Sequence, residues 1–446
     1  MVRMMQIRMR TRLRQRLEAN SALISNSSSL IGTRAVTAGL GFVYWWLAAR
    51  LFVPEAVGLA SALVSTMLLL GTFGMLGLGT FLIGELPRRR GEVGSLITIS
   101  LLVAGVASAG LGAVFAIAAP SVSLEFAPLS QSPTSVLLFA SGVALTGVVM
   151  VLDQALIGLL RGGLQLWRNT VFAAAKLGIM VIISLWIGSA QWAAIFASWV
   201  AGDAVSTAAL AIVRAARRGR VIYRPRPNLL GRVGRLALEH HALNLSLQAP
   251  GLLLPLVVTA LLSAAANAHY YVSWMMVSSA VYVIPMSLST VIYAVGSTAP
   301  SDLDDKMRQT LTLSLVLGGL AAGALSGIGG IVLKAFGPAY AEEALWPLRI
   351  MGLAVFPQVV KYYYVAVSRL QNRIGRAAFI LVLATVLEVA AAALSARLTG
   401  GLVGLTLGWL VAQTAEAVFM LPAVLRAVNG GLVPDTPDKK TFSEVA

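Results

Sequence analysis

The sequence predicts an all-α integral membrane protein: about twelve transmembrane helices in two six-helix lobes, related by a parallel internal repeat around a central cavity. Three observations lead there. First, only 12% of the 446 residues are charged, 58% are hydrophobic, and the mean hydropathy is +0.82. A soluble domain carries about 25% charged residues, so this chain could not cover a water-facing surface. Second, the apolar residues come in long runs, such as 99–119, 136–158, 171–187 and 379–396. Each is near the roughly 20 residues that a helix needs to cross a hydrocarbon core. Third, the basic residues alternate along the chain.

The expected spans are 30–52, 57–84, 95–119, 133–160, 169–189, 191–213, 238–263, 269–296, 309–333, 346–368, 377–397 and 401–425. Turn and interface signals separate them: Pro54, the run from Pro87, Pro120, residues 188–191, the Arg-rich stretch 214–235, SDLDD at 301–305, and Gly400 with Gly401. Of the Lys and Arg, 27 fall in the two tails and in every second gap. Only Arg50, Lys334 and Arg397 fall in the alternate gaps or at their edges, and Arg34, Lys176, Arg349 and Lys361 lie in or at the edge of spans. By the positive-inside rule both termini are cytoplasmic, as in a multi-pass protein of the cytoplasmic (inner) cell membrane. The net charge of +16 therefore reads as topology signal and as contact with anionic headgroups at the cytoplasmic face, not as a nucleic-acid footprint. The basic tail from Arg3 to Arg16 mimics a signal peptide. The apolar stretch behind it is too long for one and more spans follow, so it reads as an uncleaved first span.

The longest Arg-rich gap divides the chain. The expected organisation is a cytoplasmic basic tail (1–29), a six-helix lobe (30–213), a basic cytoplasmic linker (214–237), a second six-helix lobe (238–427) and a cytoplasmic tail (428–446). Faint self-similarity supports a duplication. At a separation of 208, RGGLQLWR (161–168) faces RLQNRIGR (369–376); at 210, Trp199 faces Trp409. Six spans per copy leave both copies in the same orientation, a parallel repeat of the kind found in transporters.

Several chemistries drop out. The chain has no cysteine and three histidines, His240, His241 and His269, so neither a disulfide nor a metal site is expected. No GxxxxGK[ST] motif occurs, which argues against direct ATP use. No cofactor is implied. SDLDD (301–305) resembles a metal-binding glycosyltransferase motif, but it precedes a span, where helix capping and dipole compensation account for it.

NSSSLIGTRAVTAGLGFVYWWLAARLFVPEAVGLASA (26–62), FGMLGLGTFLIGELPRRR (73–90), LDQALIGLLRGGLQLWRN (152–169), FGPAY (336–340) and PQVVKYYYVAVSRLQNR (357–373) carry a resemblance. Together they are similar to the polysaccharide-transporter branch, the lipid-linked oligosaccharide flippases, of the multidrug, oligosaccharidyl-lipid and polysaccharide exporter superfamily. The resemblance runs over most of residues 25–428. It implies two six-helix lobes around a central cavity lined by the first, second, seventh and eighth spans. It implies a polyprenyl-diphosphate-linked saccharide moved from the inner to the outer leaflet for a surface polysaccharide. Glycan-assembly proteins are the implied partners.

The candidate site residues are polar groups inside spans. Arg34 suits a diphosphate, because a guanidinium matches phosphate oxygens in a fork; snorkelling to the headgroups is the alternative. Asn244 and Gln248 stand beside Pro250 and Pro255, where a broken helix and free amides suit sugar hydroxyls, with a structural kink as the alternative. Tyr271 and Trp274 could stack on sugar faces or belong to an interfacial belt. Asp153 and Lys361, 208 residues apart, hold corresponding repeat positions. They form a candidate inter-lobe charge pair, unless each pairs inside its own lobe. Asp203 needs a partner on another span. No residue is assigned a catalytic role. A multidrug-extrusion-type small-molecule antiporter has the same implied fold and stays open, and an anionic cavity would favour it. A membrane glycosyltransferase or polymerase is disfavoured, since the longest outer gap, 120–132, contains only Glu125 as an acid. A non-transporting scaffold also stays open.

Overall fold

The computed structural model describes residues 38–89, 91–186, 191–217, 219–231, 234–298 and 303–431. Among the described residues helix dominates and there is no strand. The principal helices are α1 (38–51), α2 (Pro54–Gly74), α3 (Leu78–Glu85), α4 (Val93–Val122), α5 (Pro133–Gly158), α6 (Gly162–Ser184), α7 (Gln191–Ala216), α8 (Arg235–Leu261), α9 (Ala264–Val277), α10 (Val283–Thr298), α11 (Leu303–Phe336), α12 (Pro338–Glu343), α13 (Leu345–Leu353), α14 (Val355–Leu370), α15 (Ile374–Thr399) and α16 (Leu402–Arg426). Among the described residues, ten spans are long and apolar enough to cross a membrane, or eleven when the bent unit of α12, α13 and α14 is taken as one. Helix α1 is the described part of the first expected span.

The helix starts follow local chemistry. Pro54, Pro133 and Pro338 each open a helix, where the missing N–H costs nothing. The Ser132 and Ser263 side chains accept from Ser135 N and Ala266 N at 3.1 and 3.0 Å, capping α5 and α9. Gly77, at φ +76°, divides α2 from α3 with a left-handed residue that any Cβ would strain.

Proline leaves its mark inside three spans. The unit ending at Leu353 meets α14 at 43°, and Pro357 lies in the first turn of α14, where its ring crowds the Leu353 carbonyl. Between α9 and α10 the chain makes a π-turn over Ser278–Tyr282, just ahead of Pro285. In α8, Pro250 leaves the Ser246 carbonyl without its helical donor, and Thr385 Oγ1 on α15 donates to it at 3.1 Å. Helix α8 runs unbroken through Pro250 and Pro255, and the freed carbonyl serves packing against α15.

Every described span overlaps an expected one. The starts disagree most at two places: the bent unit begins at Pro338 rather than at 346, and α6 at Gly162 rather than at 169. Arg168 reads as a loop charge in the sequence. It is instead a helical residue only 1% exposed, so the apolar run begins after a charge that the fold itself neutralises.

Charge marks the two ends of the bundle. The linkers 86–89, 219–231 and 371–373 lie at the Arg-rich end; 52–53, 123–132 and 262–263 lie at the Arg-poor end. The apolar core divides the same way. At the Arg-poor end a single cluster joins both halves of the chain, from Tyr44, Leu63 and Phe196 to Tyr270, Leu348 and Trp409. At the Arg-rich end it splits. One cluster gathers Leu78, Phe81, Leu96 and Leu229; another gathers Leu243, Ile292, Tyr363 and Leu381.

Candidate functional site

A cavity of about 660 Å³ opens where the core splits. Its walls are α1 at Ala38, α8 at Asn244 and Gln248, the π-turn at Ser278 and Ser279, α10 at Ser289 and Thr290, and α14 at Tyr362 and Arg369. The resemblance implies spans one, two, seven and eight; the observed walls use the tenth in place of the second. The cause is the 43° bend, which leaves Tyr362, Val365, Ala366 and Arg369 on one helical stripe facing the space.

The lining is polar but almost free of charge. Among the described residues that line it, Arg369 is the one basic residue and none is a carboxylate. Arg369 Nη2 donates to Asn244 Oδ1 at 2.6 Å, and Gln248 Nε2 donates to the Asn244 carbonyl at 3.2 Å. The guanidinium is therefore held against the cavity wall by an amide. Ser278, Ser279, Ser289 and Thr290 each donate to carbonyls of their own helical stretch, which leaves their oxygen lone pairs for donors in the cavity.

The opposite end is closed. Asn267 Nδ2 donates to Gly58 O at 2.8 Å and to Ser61 Oγ at 3.0 Å. A Cβ on Gly58 would lie 1.6 Å from Ala264 O, so the α2 and α9 backbones touch where only glycine fits. The Trp45 and Tyr271 rings meet at 4.7 Å, and Trp46 Nε1 donates to Ala335 O at 3.0 Å. A shallow depression of about 820 Å³ lies beyond this closure and carries Glu55 and Glu125.

The expected site residues separate into three groups. Asn244 and Gln248 stand in the cavity wall. Tyr271 and Trp274 do not: Tyr271 belongs to the closure against Trp45, and Trp274 packs over Gly251 and against Tyr270 and Trp409. Arg34 lies outside the described residues.

Asp153 and Lys361 do not pair with each other. Arg168 Nε and Nη2 donate to the two Asp153 oxygens at 2.9 and 2.8 Å, and Nη1 reaches Asp203 Oδ1 at 3.6 Å, which names the partner Asp203 lacked. Lys361 Nζ donates to Glu388 and, at 3.1 Å, to Glu416. The correction is geometric: each charge finds an opposite one on a neighbouring helix of its own half, and a buried ion cannot wait for a distant one. Lys176 Nζ sits 3.6 Å from the Trp199 ring centroid, with the Tyr44 and Phe172 rings at 4.6 and 4.7 Å. Sequence reasoning missed Tyr362 and Arg369 as wall residues. Arg369 was counted with the loop charges, and the i, i+3, i+7 stripe it completes becomes legible only once the inward face of α14 is known.

The family model described as "Polysaccharide biosynthesis protein" matches residues 23–295. No curated protein is similar enough in sequence to stand as a relative. Among solved structures, the chain is similar to the inward-facing conformation of a multidrug resistance MATE-family transporter of the MOP superfamily. The TM-score is 0.64 at 15% identity, over 89% of this chain and 94% of that one. Against an outward-facing conformation of such a transporter the TM-score is 0.57 at 14% identity, over 91% and 96%. A third similar structure is a MOP superfamily transporter from Pyrococcus furiosus, described as having a binding pocket of reverse polarity suggesting a different function. Its TM-score is 0.61 at 14% identity, over 92% and 95%.

Proposed function

Since the chain belongs to the polysaccharide biosynthesis protein family and has the fold of the MOP superfamily transporters, we propose that it is a flippase for a polyprenyl-diphosphate-linked saccharide. The observation that carries this reading is the cavity lining: among the described residues it offers amides, hydroxyls and one guanidinium, and no carboxylate. A cationic drug would meet no counter-charge there. A diphosphate meets Arg369, whose planar fork suits phosphate oxygens. Sugar hydroxyls meet Asn244, Gln248 and four hydroxyl side chains that present free lone pairs.

The proposal sets the Arg-rich end in the cytoplasm, so the cavity opens on the side where the lipid-linked saccharide is taken up. The closure at Gly58 and Asn267 is then the outer gate. Two six-helix lobes, 30–213 and 238–427, rock about it, joined by the linker 214–237. Exposed Arg217, Arg220, Arg224 and Arg226 meet anionic headgroups. Arg34, four residues before the cavity residue Ala38, is the second expected phosphate contact. With the inside negative, one charge crossing 100 mV contributes about 2.3 kcal/mol, which favours expelling an anionic lipid.

The test is surface glycan export by a host whose own copy is replaced with Arg369→Ala. Export falls to background with lipid-linked saccharide accumulating, while Arg369→Lys retains part. Normal export by a well-expressed Arg369→Ala protein, or drug resistance in place of glycan export, refutes the reading.

A further inference from the structure

The two halves of the chain bury ionic clusters on corresponding helices, and the clusters differ by one charge. In the first half, Arg168 and Lys176 are matched by Asp153 and Asp203. Asp153, Lys176 and Asp203 correspond to Lys361, Glu388 and Glu416, at sequence separations of 208, 212 and 213. In the second half Lys361 alone stands against Glu388 and Glu416. All three are at least nine-tenths buried, with relative exposures of 4%, 0% and 7%. A surplus negative charge at that depth is costly, and the usual relief is a proton.

The hydrogen bonds show which carboxyl takes it. Glu388 is saturated: it accepts from Lys361, from Trp409 Nε1 at 2.6 Å and from Gln413 Nε2 at 2.8 Å. Glu416 accepts from Lys361 through Oε2, and its Oε1 is buried without a hydrogen-bond partner. Gln413 Oε1, one turn away on α16, is buried and unpartnered as well. Two acceptors therefore lack a donor beside a carboxyl that lacks a counter-charge. One proton on Glu416 removes the surplus charge and supplies a donor.

We propose that Glu416 carries an exchangeable proton, which makes the Lys361–Glu388–Glu416 cluster a proton-binding site in the second half. The ligand is a proton and not a metal cation, because the Lys361 ammonium already occupies the place between the two carboxyls. The other ionisable groups around it leave the balance unchanged. Tyr362 on α14, Tyr270 on α9 and Tyr282 in the π-turn are phenols and bring no counter-charge. On α13, Arg349 turns to the Ser326 carbonyl and the Trp346 ring. On α8, Glu239, His240 and His241 lie at the Arg-rich end, with Glu239 against Gly375. The site also has a mechanical route to the cavity. Lys361 is followed on α14 by Tyr362, a wall residue, with Arg369 two turns beyond. This assignment goes beyond the substrate reading and does not depend on it.

The test uses the full-length protein in detergent and needs no substrate. Dicyclohexylcarbodiimide attaches to protonated carboxyls in apolar surroundings. Trypsin then separates the peptide 377–397, which holds Glu388, from 398–426, which holds Glu416. The expected result is label on 398–426 at acidic pH, lost as pH rises and absent in Glu416→Gln. Thermal unfolding supplies the second readout. Glu416→Gln replaces a neutral carboxyl by a neutral amide and keeps the wild-type Tm, whereas Glu388→Gln removes the counter-ion of Lys361 and lowers it by several degrees. Equal losses of Tm in the two variants, or label confined to 377–397, would overturn the assignment.

Discussion

Arg168 grips Asp153 through two parallel hydrogen bonds of 2.9 and 2.8 Å, with both residues inside membrane-spanning helices of the same half. The pair is the centre of a net that also takes in Asp203, Ser206 and Asn169. Removing one partner of a buried ion pair strands the other, at a cost of about 3–5 kcal/mol. Asp153→Asn and Arg168→Ala are therefore expected to lower the Tm sharply in detergent. Arg168→Lys should rescue little, because an ammonium cannot make the forked contact. The double variant Arg168→Met with Asp153→Leu should be more stable than Arg168→Ala, which strands Asp153 as well as Asp203. A single variant that melts with wild type would show that the net does not hold α5, α6 and α7 together.

Much of the helix bundle is legible in the sequence, because bilayer thickness fixes span length and loop charge fixes alternation. Each described span overlaps its expected range, and α2 opens on Pro54, three residues before the expected start at 57. Arg168 shows where this logic fails: a charge beside an apolar run reads as a loop, and only tertiary pairing can place it inside the membrane. The cavity is half legible. Asn244 and Gln248 stand out as amides beside prolines, whereas Arg369 hides among loop arginines and Tyr271 looks like a sugar platform until Trp45 covers it. Which helix face points inward is a property of packing between spans, and a local pattern does not carry it.

Lys176 places its ammonium among three ring faces, and no carboxylate among the described residues lies within ion-pair distance of it. A desolvated cation–π contact with Trp is worth about 2 kcal/mol. Trp199→Leu leaves the buried ammonium without its nearest ring and should cost more stability than Lys176→Met, which removes the charge that needs the ring. Chemical denaturation of the two variants checks the order. The reverse order would mean that the rings are held by their own packing and the lysine contributes the larger share.

Gly58 is the position where the Arg-poor end closes, since a single added carbon would overlap Ala264 O. Gly58→Val forces the two backbones apart by at least a side-chain layer. Overpacking of this kind costs about 1–3 kcal/mol, roughly a tenfold shift between conformations. The absence of native cysteine makes the shift measurable without background. A single cysteine at Ser61, fully buried in the closed form, should react slowly with a membrane-impermeant maleimide, and about tenfold faster beside Gly58→Val. Unchanged labelling in a folded Gly58→Val protein would show that this contact does not set the gate.

Sidedness decides the direction in which any cargo moves, and the two ends of the bundle offer matched reporters for it. Arg220 lies in the long linker at the Arg-rich end, where its carbonyl accepts from Arg214 Nε at 2.7 Å. Glu125 lies in the short helical turn at the Arg-poor end, and its Oε2 accepts from Ala264 N at 3.4 Å. Basic residues stay on the cytoplasmic side during insertion. Correcting Arg168 from loop to span removes one charge from the Arg-rich set and leaves the bias intact. A fluorescent-protein fusion truncated after Arg220 should therefore fluoresce, while an alkaline phosphatase fusion at the same site stays inactive. Fusions after Glu125 should behave in the opposite way. The same signal at both sites would break the span assignment. Opposite signals with the pattern reversed would turn the cavity outward, and the closure at Gly58 would become the cytoplasmic gate.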